Sequence, residues 1–314
     1  MKIFVAGATG ALGRPLVAQL VRNGHEVTGM TRSESKQDLL RGLGARPVVA
    51  DALDPDAVAR AVAQAEPHVI VHQLTAIGAF NPRRMERDFA ATNRLRTEGT
   101  DHLLAAGRAV TVKRFVAQSF APWPYARTGG MVKSEDDPLD STPPAQVRTT
   151  LDAIKYLEQA VTGADWTEGI ALRYGGFYGP GTSVSVHPLG EQVEMIRGRK
   201  LPLAGKGTAV WSFIHIEDAA AATVKAIEHG RRGVYNVVDD DPAAVSEWLP
   251  ALAKALGAKP PRRVPLWVAR IFGGEAAAIM MSELRGSSNT KAKRELGWQP
   301  SYPSWRDGFA KGLG

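Results

Sequence analysis

The sequence predicts an α/β protein built on a doubly wound parallel sheet, with a smaller lobe in the second half of the chain. Three observations indicate this fold class. Short apolar runs of strand length alternate with longer segments of helical periodicity through the first half. These runs are apolar throughout, which is typical of parallel strands that are covered on both faces. The first run leads directly into a glycine-rich turn, Gly7-Ala8-Thr9-Gly10-Ala11-Leu12-Gly13.

Each predicted element follows from a local pattern. After the strand at residues 3–6, Leu12, Leu16 and Leu20 recur on one helical face until Gly24, which tolerates the left-handed conformation after a last helical turn. Further strands are predicted at residues 27–30, 47–50, 69–72, 114–117, 169–173 and 234–238, with helices near 34–43, 55–65, 83–108 and 145–162. Right-handed crossovers bring the carboxyl ends of such strands to one edge of the sheet, where ligands bind.

The amino-acid composition excludes several classes of function. The chain has 314 residues and no cysteine, which excludes a disulfide scaffold, a thiolate zinc site and a cysteine nucleophile. Its seven histidines are scattered, so we expect no metal. The net charge of +7 comes without a block of like charges, which favours an anionic ligand over nucleic acid. There is no signal peptide and no run of 18 apolar residues, so we expect a cytoplasmic protein with no membrane partner.

The glycine-rich turn predicts a dinucleotide site. Gly7 permits the tight turn, Gly10 lets the backbone approach a diphosphate, and Gly13 lets helix and strand pack closely. The helix N-terminus that follows offers free N–H groups to phosphates, although a merely structural turn is the alternative. Together with the loops after later strands, the predicted cofactor contacts are Gly7, Thr9, Gly10, Ala11, Leu12, Gly13, Arg14, Arg32, Asp51, Ala52, Gln73, Leu74, Thr75, Lys155 and Tyr174.

The residues after the second strand favour NADP over NAD. An acidic residue there would accept a hydrogen bond from the ribose 2′-hydroxyl, but the sequence has Arg32. Arg32 is suited to pair with a 2′-phosphate, with help from Arg14, unless it is simply a solvated loop residue. Asp51 ends the third strand and is interpreted as an adenine contact, and Asp54, followed by proline, as a helix cap.

The regular alternation ends near residue 178. Gly179-Pro180-Gly181 interrupts the pattern, and further prolines interrupt it from residue 260 onwards. We therefore expect a dinucleotide-binding Rossmann domain at 1–178, to which 210–238 returns, and a substrate-binding lobe formed by 179–209 and 239–314. The cleft between them is the expected substrate site.

Several motifs resemble the extended (atypical) short-chain dehydrogenase/reductases, the NAD-dependent epimerase/dehydratase family. They are GATGALG, RTEGTDHLLAAG with VKRFVAQS, LRYGGFYGPG, WSFIHIEDAA, VYNVVDDDP and ELGWQPSY, and together they span nearly the whole chain. The resemblance implies a bound nicotinamide dinucleotide and a small-molecule substrate. It also implies a homodimer through the helices near 83–108 and 145–162, with Leu103, Leu104, Ile154 and Leu157 as either interface or core residues.

The sequence departs from this family at its catalytic pair. Family members usually carry Tyr-x-x-x-Lys on the helix after the fifth strand, where the tyrosine moves a proton and the lysine lowers its pKa. If Lys155 is the family lysine, the tyrosine position holds Leu151. If Glu158 sets the register, the two positions hold Thr150 and Ile154. Neither register yields the pair.

Other residues are therefore candidates for proton transfer. The active hydroxyl of the family aligns with either Ser119 or Phe120, and side chains alternate along a strand, so one residue of register decides between them. Tyr125 follows the same strand and Tyr174 ends the sixth, and either is a proton donor or a plain cleft wall. The predicted catalytic residues are Ser119, Tyr125, Lys155 and Tyr174. His72 also ends a strand at the cleft. A single histidine there is usually a structural residue, yet the usual pKa of histidine suits proton transfer.

Three functional hypotheses follow. The first is an NAD(P)-dependent oxidoreductase or epimerase acting on a small carbonyl or hydroxy compound, with NADP favoured and an unusual proton donor. The second is a redox-neutral dehydratase, cyclase or isomerase on the same fold. The third is a protein that senses NADP without chemistry.

Overall fold

The computed structural model describes residues 1–78 and 81–314. Its strands are β1 (Lys2–Ala6), β2 (Glu26–Thr31), β3 (Arg46–Val49), β4 (Val69–His72), β5 (Arg114–Phe120), β6 (Val132–Lys133), β7 (Glu168–Tyr174), β8 (Gly176–Tyr178), β9 (Leu203–Ala204), β10 (Val210–Trp211), β11 (Phe213–His215), β12 (Gly233–Val237), β13 (Ala243–Ala244), β14 (Arg263–Val264) and β15 (Gly286–Ser287). The main sheet has seven strands in the order β3-β2-β1-β4-β5-β7-β12, and every pair in it is parallel.

Helices cover both faces of this sheet. They are α1 (Gly13–Arg22), α2 (Gln37–Gly42), α3 (Pro55–Ala65), α4 (Met85–Arg96), α5 (Glu98–Ala109), α6 (Ala145–Thr162), α7 (Glu191–Arg197), α8 (Ile216–His229), α9 (Val245–Ala255), α10 (Leu266–Ser282), α11 (Thr290–Leu296) and α12 (Trp305–Lys311), with short 3-10 turns at Glu34–Lys36 and Pro82–Arg84. One core packs α1 and α8 on the sheet, and another packs α3, α5 and α6 on the opposite face. The predicted doubly wound α/β class is confirmed.

The predicted strands are found with bounds shifted by at most a few residues, but the long helix predicted near 83–108 is wrong. It is two helices, α4 and α5, that meet at Thr97, where φ is −98° and ψ is −83°. The Thr97 hydroxyl donates to the Asn93 carbonyl, 3.1 Å away. No glycine or proline marks this break, so the helical periodicity alone could not reveal it.

A separate apolar core lies in the second half of the chain. It includes Val193, Trp248, Leu249, Trp305 and Phe309, all buried. Short two-stranded pairs such as β9 with β14 and β10 with β13 connect its segments. β12 nevertheless belongs to the main sheet, beside β7. The limits of the substrate lobe, 179–209 and 239–314, stay a prediction.

The helices of the described chain, residues 1–78 and 81–314, include none that combines the length and apolar character needed to cross a lipid bilayer.

Candidate functional site

The glycine-rich turn forms a groove that is lined by main-chain atoms, because its glycines have no side chains. Gly7 has φ +88°, and a Cβ built on it would lie 2.6 Å from the Gln73 carbonyl oxygen. A Cβ on Gly13 would overlap the Gly7 carbonyl oxygen, and one on Gly10 would lie 3.3 Å from the same atom. Real Cβ atoms do not approach backbone this closely, so the turn requires glycine at positions 7 and 13. Thr9 and Ala11, between them, are half-buried.

The first turn of α1 is electrostatically open to an anion. Leu12 is the N-cap residue, and no side chain caps this helix end. No acidic side chain lies in the first turn. An uncapped N-terminus carries free N–H donors and a partial positive charge, which is the property that favours a phosphate. The turn therefore fits the diphosphate of a dinucleotide.

The carboxyl end of β4 supplies the opposite wall. Gln73 is buried, and its backbone N–H donates to the Ala6 carbonyl, 2.8 Å away. Its Nε2 donates to the Tyr174 hydroxyl at 3.4 Å, while its buried Oε1 has no partner among residues 1–78 and 81–314. A buried amide oxygen without a donor costs free energy unless a ligand supplies one. Leu74 and Thr75 continue along the rim and are progressively more exposed.

At the other end of the groove, the residues predicted to meet adenosine lie on open loops. Arg32 is exposed after β2, and the buried Thr31 hydroxyl accepts a hydrogen bond from the Ser33 N–H at 3.2 Å. The exposed Asp51 carboxylate accepts from the Leu53 N–H at 3.0 Å, next to the buried Ala52. Asp54 caps α3 by accepting from the Ala57 N–H at 3.0 Å, as expected. The adenine contact of Asp51 stays a prediction.

The helix after β5 lacks the family's proton-transfer pair in either register. Lys155 donates to the backbone carbonyl of Asp140, 3.1 Å away. Leu151 and Ile154 are buried apolar residues of α6. The Thr150 hydroxyl accepts from the Asn93 side chain at 3.1 Å. No residue of α6 therefore presents a tyrosine hydroxyl with a lysine one turn away.

The hydroxyls of two predicted catalytic residues, Ser119 and Tyr125, belong to one buried network of charged side chains. Ser119 donates to Glu158 at 2.6 Å, and Glu158 also accepts two hydrogen bonds from Arg173, at 2.6 and 2.7 Å. Tyr125 donates to the Asn236 side chain at 2.7 Å and accepts from Arg173 at 2.8 Å. Burial raises the pKa of Tyr125 to about 12. This geometry gives no support to proton transfer from either hydroxyl, and their catalytic roles stay predictions.

The third hydroxyl, that of Tyr174, is in a different buried contact. It lies 2.6 Å from the Thr223 hydroxyl and accepts from Gln73, so Tyr174 is near the groove but fully enclosed. Burial raises the pKa of Tyr174 well above its ordinary value. At the end of β5, Phe120 is half-buried where Ser119 is fully buried. The alternation of side chains along this strand therefore points Ser119 towards Glu158, while Phe120 packs against the apolar core of the second half of the chain.

His72 is not a proton donor near neutral pH. Burial lowers its pKa to about 4, so the imidazole is uncharged. Its Nε2 lies 3.1 Å from the Leu95 carbonyl, and its Nδ1 accepts from the Leu74 N–H at 3.2 Å. Its role is to fix the loop after β4, which is the structural interpretation of this residue.

Sequence reasoning missed the charges beneath the site. Arg96, Glu158 and Arg173 are all buried in one small region. Burial lowers the pKa of Arg96 to about 10, opposed by the charge of Glu158. The arginine within LRYGG and the glutamate on α6 were visible as letters, but nothing in their spacing showed that the sheet would join them. No group of three or more metal-ligating side chains occurs within the described ranges, 1–78 and 81–314.

Fold and groove together define a class: α/β enzymes that hold a nicotinamide dinucleotide at the carboxyl edge of a doubly wound sheet. The chain belongs to the NAD dependent epimerase/dehydratase family, whose model matches residues 3–238, within the extended short-chain dehydrogenase/reductases. It is therefore an enzyme of the oxidoreductase and epimerase type, and this outcome sets aside a protein that only senses NADP.

Individual relatives sharpen this assignment. The chain is 43% identical over 313 residues to a 3-diazoavenalumate denitrifying reductase of a Streptomyces species, covering 99% of this chain and 100% of that one. It is 28% identical to a 2-alkyl-3-oxoalkanoate reductase of Stenotrophomonas maltophilia, covering 82% and 76% of the two chains. Among solved structures, UDP-glucose 4-epimerase of Thermotoga maritima with UDP-glucose has a TM-score of 0.78 and 21% identity, covering 100% and 97% of the two chains. A likeness at that identity shows the fold.

Proposed function

We propose that this protein is an NAD(P)H-dependent reductase that replaces the diazo group of a small carboxylate by hydride. The reduced nicotinamide would supply two electrons and a hydrogen to the carbon that carries the diazonium group. The C–N bond breaks, dinitrogen leaves with that bonding pair, and a C–H bond forms from the hydride. The equation balances as R–N₂⁺ + NAD(P)H giving R–H + N₂ + NAD(P)⁺, with no proton added to the substrate.

The observation that carries this proposal is the lack of an available proton donor at α6 and at the ends of β5 and β7. Reduction of a carbonyl forms an alkoxide, which a positioned side chain usually protonates. Here the candidate hydroxyls of Ser119, Tyr125 and Tyr174 are buried in hydrogen bonds to protein, and no tyrosine–lysine pair is present on α6. A diazonium group needs hydride and no proton, so it suits such a site.

The 43% identical relative supports the same chemistry, because its name describes a reductase that acts on a diazo compound with loss of nitrogen. The chain's own contribution would be to bind and orient the two reactants. The backbone of residues 7–13 would hold the diphosphate, and Gln73 would offer its unpartnered Oε1 to a donor on the cofactor. The nicotinamide supplies the hydride when it is bound. Arg32 supports NADP over NAD, since it can pair with a 2′-phosphate.

A second candidate is reduction of a small carbonyl compound, which the 2-alkyl-3-oxoalkanoate reductase at 28% identity favours. In that case Lys155 or Tyr174, both predicted from sequence as catalytic, would have to be released from its present contact to deliver a proton. A redox-neutral dehydratase, cyclase or isomerase is the third possibility, in which hydride would return to the substrate.

One labelling experiment separates these functions. The purified protein would be incubated with an arenediazonium carboxylate and NADPH deuterated at C4 on the pro-R or the pro-S face, and the product analysed by mass spectrometry and NMR. We expect deuterium from one face only, on the carbon that lost nitrogen, with one NADP⁺ per dinitrogen. Because free NADPH can reduce diazonium ions, the control omits the enzyme and shows no preference between the faces. Equal transfer from both faces, or turnover of a carbonyl panel alone, would overturn the proposal.

We also propose a cytoplasmic homodimer. Leu103, Ile154 and Leu157 are buried within one chain, so an interface on α5 and α6 would use the exposed residues there. Tyr156 is such a residue, and its hydroxyl donates to the exposed Asp101 at 2.7 Å. Light scattering after gel filtration should give twice the chain mass, and a single-chain mass would contradict the dimer.

A further inference from the structure

Arg14 is a cation in an unfavourable position. It lies in the first turn of α1, where the helix dipole repels positive charge. Its side chain is half-buried, and its buried Nε has no hydrogen-bond partner within the described residues. No carboxylate pairs with it anywhere in the described ranges. A buried guanidinium Nε without an acceptor, on a side chain without a counter-ion at the positive end of a helix, is a feature that an anion would relieve.

The position of its guanidinium favours the diphosphate of a dinucleotide over the 2′-phosphate. Nη2 of Arg14 is in contact with Gly181, because a Cβ built on Gly181 would overlap that nitrogen. Gly181 follows β7 and β8, whereas Arg32 follows β2, and the sheet order puts β7 and β2 on opposite sides of β1. The side chain of Arg14 therefore extends away from the loop that would meet a 2′-phosphate. It stays beside the helix N-terminus, where a diphosphate binds.

The turn that Arg14 contacts is where the predicted substrate lobe begins. Gly179 and Gly181 both have positive φ, at +104° and +78°. A Cβ on Gly179 would lie 2.6 Å from Nε2 of His215, which precedes α8. The turn is thus held between His215 on one side and Arg14 on the other. It leads directly into the buried Thr182 and Ser185, whose hydroxyls bond to this turn and to the His187 carbonyl.

We propose that Arg14 binds the diphosphate that NAD and NADP share, and that this contact joins the cofactor to the Gly179–Gly181 turn. This proposal differs from the sequence-based expectation that Arg14 helps Arg32 to recognise the 2′-phosphate, which stays a prediction. Cofactor binding would then fix the turn at which the predicted lobe begins. The inference rests on the proposed function only in that a nicotinamide dinucleotide must occupy the groove.

Calorimetry with three nucleotides tests the assignment. ADP-ribose, NAD⁺ and NADP⁺ share the diphosphate, and only NADP⁺ has the 2′-phosphate. We expect Arg14→Met to weaken all three by the same factor, about 10- to 100-fold, as for loss of a charged hydrogen bond. Arg14→Lys keeps the charge and should fall between. The matched variant Arg32→Met should weaken NADP⁺ alone. If Arg14→Met weakens only NADP⁺, or none of the three, the inference is overturned.

The outcome also separates this inference from the proposed function. A wild-type protein that binds none of the three nucleotides overturns both. A wild-type protein that binds them, with Arg14→Met binding equally well, overturns the inference and leaves the reductase proposal standing.

Two glycines provide a matched control for the contact with the turn. Gly24 has φ +77° and nothing within 4 Å of a built Cβ, whereas Gly181 has φ +78° and the Arg14 guanidinium against it. Alanine at either position meets the same backbone strain. We expect Gly24→Ala and Gly181→Ala to lower thermal stability by similar amounts. Of these two variants, only Gly181→Ala should bind ADP-ribose more weakly. Adding Gly181→Ala to Arg14→Met should cause no further loss of binding. Additive losses would overturn the contact.

Hydrogen exchange of residues 179–186 then tests the coupling itself. ADP-ribose should slow exchange in this segment at least about threefold in the wild type and leave it unchanged in Arg14→Met at saturating nucleotide. Equal slowing in both proteins would show that the turn is fixed without Arg14.

Discussion

The turn at residues 7–13 and the helix at 145–162 are both places where family motifs predicted function, and they behave differently. In the turn, backbone makes the site, and glycine is required because a Cβ on Gly7 or Gly13 would meet backbone atoms. In α6, side chains would make the site, and Thr150, Ile154 and Lys155 all contact protein or core. The difference suggests that binding of the cofactor is kept on this scaffold while proton chemistry is replaceable.

The largest expected effect on cofactor binding comes from the glycine-rich turn. Gly13→Ala should weaken NADP⁺ binding at least about 100-fold, because the new methyl group would push α1 away from the Gly7 carbonyl. Calorimetry would measure the affinity and circular dichroism the fold. Gly42→Ala is the control, since nothing lies within 4 Å of its built Cβ. Unchanged affinity in Gly13→Ala would show that the turn does not hold the diphosphate.

The buried charges below α6 should matter most for stability. Arg173→Met leaves the buried Glu158 carboxyl without its ion-pair partner, at an expected cost of about 3–5 kcal/mol in the free energy of unfolding. Urea unfolding would measure it. Breaking the exposed pair Arg94–Glu98 by Arg94→Met should leave stability nearly unchanged, since solvent screens it. If the two variants unfold alike, the network is not a structural support for this region.

His72 predicts a pH dependence of stability with a definite sign. Its pKa is 6.5 in an unfolded chain and about 4 in the fold, so between these values only the unfolded state takes up a proton. The wild type should therefore lose about 3 kcal/mol more than His72→Gln as the pH falls from 6.5 to 4. Above pH 6.5 this contribution is fully present. Parallel unfolding curves for the two proteins across that range would contradict the buried, neutral histidine.

The smallest expected effect distinguishes a structural from a catalytic Ser119. Ser119→Ala removes one hydrogen bond to Glu158, which keeps both bonds from Arg173. We expect a loss of about 1 kcal/mol in stability and a turnover rate within about twofold of the wild type. A turnover rate lowered by about two orders of magnitude, with unchanged stability, would indicate that Ser119 is a catalytic residue. Proton transfer near α6 would then be retained, and α6 would differ less from the turn at residues 7–13.

Sequence alone predicted the fold and the glycine-rich turn because both follow local rules. The strands are continuous apolar runs, and Gly7, Gly10 and Gly13 have fixed spacing within one turn. The network of Arg96, Glu158 and Arg173 depends on which strands lie side by side, which no local pattern contains. The break at Thr97 also escaped, because neither glycine nor proline marks it in the sequence.

The place of β12 in the main sheet has a practical consequence for engineering. After β7 the chain leaves the main sheet and passes through the short strand β9. It returns at residues 233–237, which form β12, the outermost strand beside β7. Removing everything beyond residue 178 would thus leave β7 as an unprotected edge, prone to pairing with other chains. Any exchange of the predicted substrate lobe between relatives would therefore have to graft its two predicted segments, 179–209 and 239–314, as separate inserts and retain the host's own residues 210–238.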